Sequence, residues 1–186
     1  MRIVAGKLRG RRIIAPENRD IRPTSDRVRE SLFDILAHGR SPLPEGARVA
    51  DIFCGTGALG LEALSRGAAH VIFMDSDRTA LDLARRNASE LGVTREATFL
   101  LRDARTPTTS PRPVDLMFLD APYKSDLTAP ALDALIKAGW CKPGATIVIE
   151  LAKIEDIALP EGCDAFDERV YGQTKLVFAR VIDDQA

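Results

Sequence analysis

The chain lacks any run of eighteen or more apolar residues, the length that carries a helix across a bilayer, so nothing in its 186 residues is expected to span a membrane. Its first residues, Met1-Arg2-Ile3-Val4-Ala5-Gly6-Lys7, have no apolar core of the kind a secretory signal needs, so export is not expected. Cysteine is scarce. The three present, Cys54, Cys141 and Cys163, are odd in number and far apart. That pattern excludes a disulfide framework, matches no zinc spacing and suits a reducing cytoplasm. No metal centre is expected. Internal repeats and low-complexity tracts are also missing, which removes solenoids and arrays.

What is present suits one domain with a small appendage. Hydrophobic residues make up 45 % of the chain, enough for a packed core. The net charge of −1 is uneven: residues 1–40 hold ten Lys or Arg against five Asp or Glu, leaving −6 for the rest. A basic segment on an acidic body suggests a polyanion contact at one end only, but without other evidence a solvated basic face with no partner is the favoured reading.

Residues 2–6 and 11–15 are strand-like runs joined by Lys7-Leu8-Arg9-Gly10, a hairpin pattern. Thr24 or Ser25 can cap a helix that runs to about Ala37, with Val28, Leu32, Ile35 and Leu36 on one face. Residues 39–46 form a Pro/Gly-rich linker. Strands and helices then alternate: strand 49–53, helix 58–65, strand 70–75, helix 79–91, strand 97–101, a loop, strand 114–119, helix 128–138 and strand 145–151. Repeated βα units mean a parallel sheet with right-handed crossovers. Residues 165–171 and 174–181 flank Gly172-Gln173 and read as an antiparallel hairpin. The expected fold is α/β and Rossmann-like, of the class I S-adenosylmethionine-dependent type. It has a mostly parallel seven-stranded sheet, a C-terminal antiparallel hairpin and a basic N-terminal extension.

Two motifs carry the chemistry. The first is Asp51-Ile52-Phe53-Cys54-Gly55-Thr56-Gly57-Ala58-Leu59-Gly60, a glycine-rich turn leaving an apolar strand. Its Gly-x-Gly-x-x-Gly spacing also satisfies the dinucleotide fingerprint, in which the glycines sit against a pyrophosphate. Asp51, four residues before Gly55, would repel a pyrophosphate but can pair with the ammonium of S-adenosylmethionine, so the charge favours that cofactor over NAD. Asp75, at the end of the second strand, is placed to accept from ribose hydroxyls under either cofactor. Asp77 competes for that role and is otherwise a helix N-cap. Asp103, with Ala104 beside it, is a candidate acceptor for the adenine amine, or a plain loop carboxylate. Phe53 belongs to the same cofactor set.

The second motif is Asp120-Ala121-Pro122-Tyr123, ending another apolar strand. An aromatic amine is a poor nucleophile because its lone pair is delocalised into the ring. A carboxylate from Asp120 and the Ala121 carbonyl, each accepting one of its N–H bonds, favour the pyramidal geometry that attacks a sulfonium methyl in line. Pro122 stiffens the turn. Tyr123 can stack on an extruded base. Asp-x-Pro-aromatic is also ordinary turn chemistry; its position after a methyltransferase-like glycine turn points to the catalytic role.

Over nearly its full length the chain resembles the bacterial 16S ribosomal RNA guanine-N2 methyltransferases, the small-subunit methyltransferase D family. The resemblance is carried by Arg2-Ile3-Val4-Ala5-Gly6-Lys7-Leu8-Arg9-Gly10-Arg11, by Arg22-Pro23-Thr24-Ser25-Asp26-Arg27-Val28-Arg29-Glu30-Ser31-Leu32-Phe33, and by the glycine turn continued through Leu61-Glu62-Ala63-Leu64-Ser65-Arg66-Gly67. It implies methylation of guanine 966 of 16S rRNA at N2, on an assembled small subunit, by a cytoplasmic monomer. It also implies that Arg2, Lys7, Arg9, Arg11 and Arg12 contact phosphates, and that residues 1–40 form an RNA-binding extension to a methyltransferase domain at 41–186. Arg22, Thr24 and Arg27 would border the cleft, with capping or ion pairing to Asp26 or Glu30 the alternative for the two arginines. The chain departs from the family's Asp-Pro-Pro-Phe/Tyr pattern at Ala121; the backbone acceptor survives and some rigidity is lost. The rival functions are an adenine-N6 DNA methyltransferase, for which too few residues lie outside the core to build a target-recognition region, and a non-catalytic RNA-binding assembly factor, against which the intact Asp120 and Tyr123 argue.

Overall fold

The computed structural model describes residues 1–15, 26–39, 45–110, 112–123 and 125–182. Seven strands form one sheet: β1 (Arg48–Ile52), β2 (His70–Asp75), β3 (Ala97–Leu101), β4 (Val114–Leu119), β5 (Cys141–Ala152), β6 (Cys163–Tyr171) and β7 (Thr174–Val181), in the order β3-β2-β1-β4-β5-β7-β6. The first five are mutually parallel, and β7 runs antiparallel to both β5 and β6. The helices are α1 (Asp26–His38), α2 (Ala58–Ser65), α3 (Arg78–Leu91) and α4 (Thr128–Lys137).

The central strands are apolar because both sheet faces are covered. Side chains alternate across a strand, so Leu116 and Phe118 of β4 join one core with α1, α2 and α3, while Met117 and Leu119 join the other with α4 and Trp140. Ile3 and Ile13 of the N-terminal segment lie in the first of these cores. Among the described residues no helix is long and apolar enough to cross a membrane.

Three differences from the sequence expectations have physical causes. Strand β1 stops at Ile52 because Phe53 turns to φ +58°, a conformation closed to a strand. Strand β5 starts four residues earlier than expected, absorbing Pro143 and Gly144 (φ +76°) beside a register shift against β4. The N-terminal hairpin closes through one antiparallel bridge, Arg2 to Arg12, around a short 3-10 turn (Gly6–Leu8), without extended strands. Four of its backbone amides are diverted to side chains of the body: Val4 N and Ala5 N donate to Glu62 (2.8 and 2.9 Å), Leu8 N to Ser65 Oγ (2.9 Å) and Ile14 N to Asn87 Oδ1 (2.9 Å). Gly6 is required there, since a Cβ would sit 2.0 Å from the Ser65 carbonyl oxygen. The expected caps Thr24 and Ser25, and most of the 39–46 linker, lie outside the described residues.

Candidate active site at the strand ends

Parallel strands end on one edge, and here the edge gathers the predicted residues. Ile52 of β1 pairs with Met74 of β2 on one side and Leu119 of β4 on the other. The chain therefore leaves β1 and β4 side by side, with Phe53 next to Asp120, and the Asp120 amide donates to the Ile52 carbonyl (3.4 Å). Strand order reverses between β1 and β4. In open α/β sheets that switch point is where a ligand crevice opens.

Hydrogen bonds from strand ends and within the turn shape the glycine turn. Cys54 N donates to Met74 O (3.1 Å), Gly55 N to Asp75 Oδ2 (3.0 Å), Gly57 N to Cys54 O (2.7 Å) and Gly60 N to Asp51 Oδ2 (2.9 Å). The glycines do different work. A Cβ on Gly60 would meet Phe73 Cε1 at 2.4 Å and Val71 Cγ1 at 2.7 Å, so this glycine lets α2 lie close on β2. Gly57, at φ +78°, is the α2 N-cap and faces Phe73 and Ala84. Only the space beside Gly55 (φ +52°) is open, its nearest neighbour being the Phe53 carbonyl oxygen at 4.0 Å. Phe53 itself holds a positive φ, the kind of backbone strain that gathers at ligand turns.

Asp51 is 1 % exposed, and its Oδ1 has no hydrogen-bond partner among the described residues. Burial pushes its carboxyl up to about 7; the Gly60 amide opposes the rise and the Asp75 charge adds to it. Burial, then the Asp51 and Asp75 charges, push the Cys54 thiol well up, so it is no nucleophile. Asp75 accepts from Gly55 N and, through Oδ1, from Asp77 N (2.9 Å). Each of its oxygens keeps a lone pair for a further donor. Asp77 is the α3 N-cap, accepting from Thr79 N at 2.8 Å. The adjoining strand end is tied in by Arg102 N to Asp75 O (2.9 Å). Asp103 after it is held by Arg105 through side chain (2.6 Å) and amide (2.9 Å), which keeps its carboxyl below the usual range. Ala104 is buried.

In the tetrapeptide, Asp120 is half-buried, Ala121 buried and Pro122 exposed. Tyr123 is 39 % exposed, yet its hydroxyl is fastened. It donates to Glu150 Oε1 (3.0 Å) at the end of β5 and shares a hydrogen bond with Thr174 Oγ1 (3.1 Å) at the start of β7. Burial first, then the Glu150 carboxylate, push the phenol up against the opposing Thr174 bond. Glu150 is 5 % exposed. A cleft of about 350 Å³ borders Ala121, Pro122, Glu150 and Leu151. Glu150 and Thr174 were not among the expected site residues. A carboxylate ending an apolar strand was the available signal for Glu150; nothing local marks Thr174.

The basic N-terminal set is scattered over the hairpin surface. Lys7, Arg9 and Arg12 are exposed; Arg2 is exposed with Asp26 at 3.7 Å; Arg11 donates to the Glu90 carbonyl at the end of α3 (2.6 Å). Arg27 is exposed on α1, while Asp26 is bound by Arg29 at 2.8 Å. Arg22 and Thr24 lie outside the described residues.

Known proteins resemble this chain over most of its length. A family model described as Conserved hypothetical protein 95 matches residues 1–180. The ribosomal RNA small subunit methyltransferase D of Haemophilus influenzae is 33 % identical over 177 residues, covering 92 % of this chain and 89 % of that one. The protein of that name from Escherichia coli K12 is 34 % identical over 181 residues, 93 % and 86 % of the two chains. The solved yhhF structure of Escherichia coli, named as a methyltransferase, superposes with a TM-score of 0.83 at 32 % identity and 98 % coverage of both chains. The fold is thus that of the methyltransferases, and the chain belongs to the Conserved hypothetical protein 95 family.

Proposed function

We propose that this protein uses S-adenosylmethionine to methylate the N2 amine of guanine 966 in 16S ribosomal RNA, acting as a cytoplasmic monomer on the small subunit. The observation that carries this is the pairing of Ile52 with Leu119, which sets the glycine turn and Asp120-Ala121-Pro122-Tyr123 against each other at the switch point. The names of the relatives supply the RNA class.

The residues fit the cofactor. Asp51 Oδ1, unpartnered among the described residues, is a buried acceptor suited to a cation, and a second carboxylate, Asp75, lies near enough to raise its pKa. Two like charges behind a glycine turn suit an ammonium and oppose a pyrophosphate. Asp51 would hold that ammonium, Asp75 the ribose hydroxyls, and the open side of Gly55 would admit the ligand against backbone. Asp103 would reach an adenine amine only while also held by Arg105. When bound, the cofactor supplies an electrophilic methyl on a sulfonium.

The chain does the rest by positioning. Asp120 and the Ala121 carbonyl each accept one N–H of the target amine and turn its lone pair out of the ring. As the N–C bond forms at the expense of the methyl–sulfur bond, which would leave the sulfur a neutral thioether, the nitrogen would become positive, and the Asp120 carboxylate would stabilise that charge until a proton leaves to water. Tyr123 stacks on the base, a contact worth roughly 1–3 kcal/mol, with its ring set by Glu150 and Thr174. The basic hairpin, with residues 1–40 as the RNA-binding extension, grips phosphate.

The test is radiolabelled methyl transfer to unmodified small subunits, naked 16S rRNA and duplex DNA, with the product nucleoside identified. N2-methylguanosine in rRNA is expected, at a higher rate on subunits. N6-methyladenine in DNA, or no transfer by cofactor-loaded protein, overturns the proposal.

A further inference from the structure

We propose that Asn87 is a positioning residue that couples the N-terminal hairpin to the glycine-rich turn, so that ordering either segment orders the other. The inference rests on the function proposed above, which assigns these two segments to RNA and to cofactor. Asn87 is 1 % exposed, in the C-terminal half of α3. Its amide is spent on two irregular segments far apart in sequence. Oδ1 accepts from Ile14 N (2.9 Å), and Nδ2 donates to Ile14 O (3.1 Å) and to Thr56 O (2.9 Å).

Ile14 ends the second arm of the hairpin, next to Ile13, whose amide donates to the Met1 carbonyl across it (3.1 Å); Thr56 lies between Gly55 and Gly57. One planar amide therefore fixes both. Asparagine is a poor helix former, and α3 gains nothing from it locally. An apolar residue of similar size would pack there but would strip three backbone groups of a partner. The other side chains that accept from hairpin amides, Glu62 and Ser65, bond to Val4, Ala5 and Leu8 and make no hydrogen bond to the turn backbone among the described residues. A ligand that restrains the Thr56 carbonyl restrains the Asn87 amide and, through it, Ile14. By linkage, RNA that orders the hairpin tightens cofactor binding by the same factor.

Amide hydrogen exchange in the full protein tests this, with S-adenosylhomocysteine as the probe and its binding measured calorimetrically on the same sample. Saturating probe is expected to slow exchange at Ile14 N by about fivefold or more and to leave Leu8 N, held by Ser65, unchanged. Asn87→Asp keeps an acceptor for Ile14 N and removes the donor to Thr56 O, so the slowing should vanish. Asn87→Ser, neutral and too short to span both segments, replaces it if the buried carboxylate prevents folding. A purely structural Asn87 would lower stability with no probe-dependent change at Ile14. Probe binding without slowing in the native protein, or slowing that persists in the variant, overturns the coupling alone. A native protein that does not bind the probe overturns the cofactor assignment, and the coupling with it.

Discussion

Asp51 shows how a residue proposed to hold a cofactor can weaken the fold around it. Its folded pKa of about 7 lies above the model-peptide value of 3.8. Between those values the folded state binds more protons than the unfolded one, so stability falls as pH rises through that window. At neutral pH the penalty approaches roughly 4 kcal/mol. Asp51→Asn keeps an acceptor for Gly60 N and removes the charge. Thermal melts should show the ligand-free variant more stable than the parent at pH 7.5 and equal to it near pH 4. Its affinity for S-adenosylhomocysteine should be weaker and independent of pH, whereas the parent's should rise with pH up to about 7, by titration calorimetry. Asp120→Ala tests the other motif: transfer should drop by about 10²-fold or more with cofactor affinity unchanged, and equal loss of both would mean that Asp120 belongs to the cofactor site. These two aspartates were visible in the sequence because each sits in a short motif whose chemistry is local. Glu150, Thr174 and Asn87 were not, because each acts on a residue 27, 51 or 73 positions away.

At the scale of elements, α2 carries the heaviest load. Its Glu62 is fully buried and accepts from Val4 N, Ala5 N and Arg66 Nε (2.9 Å), with the buried Arg29 Nε at 3.6 Å. Removing one partner of a buried ion pair leaves the other charge stranded. Glu62→Ala should cost about 3–5 kcal/mol in urea unfolding and release the hairpin amides to exchange. On the same helix, Gly60→Ala drives a methyl into Phe73 and Val71. It should cost about 1–3 kcal/mol, a loss read in stability before any loss in cofactor affinity. Element type and order followed from periodicity, with α2, β2, β3 and β4 at their expected bounds. The hairpin formed as expected but without two regular strands: Ile3 N and Ile13 N still bond across it, while the amides of Val4, Ala5, Leu8 and Ile14 are taken by side chains of α2 and α3, which no local pattern announces.

Across the whole molecule, charge is divided: the hairpin side is basic and the body acidic. Neutralising Arg9, Arg11 and Arg12 together should raise the RNA dissociation constant and flatten its logarithmic salt dependence by about 2, near 0.7 per lost phosphate contact. Filter binding across a salt series measures it, and an unchanged slope would return this face to plain solvation. The sequence by itself determined the βα alternation, the two motifs and the charge asymmetry, because these depend on residue type and short spacing. Tertiary structure alone decided the strand order that sets Ile52 against Leu119, the insertion of antiparallel β7 between β5 and β6, and the anchoring of hairpin amides by Glu62, Ser65 and Asn87. Each of these is a pairing between distant segments, and it exists only once burial has brought both to the same place and left their polar groups no water to bond.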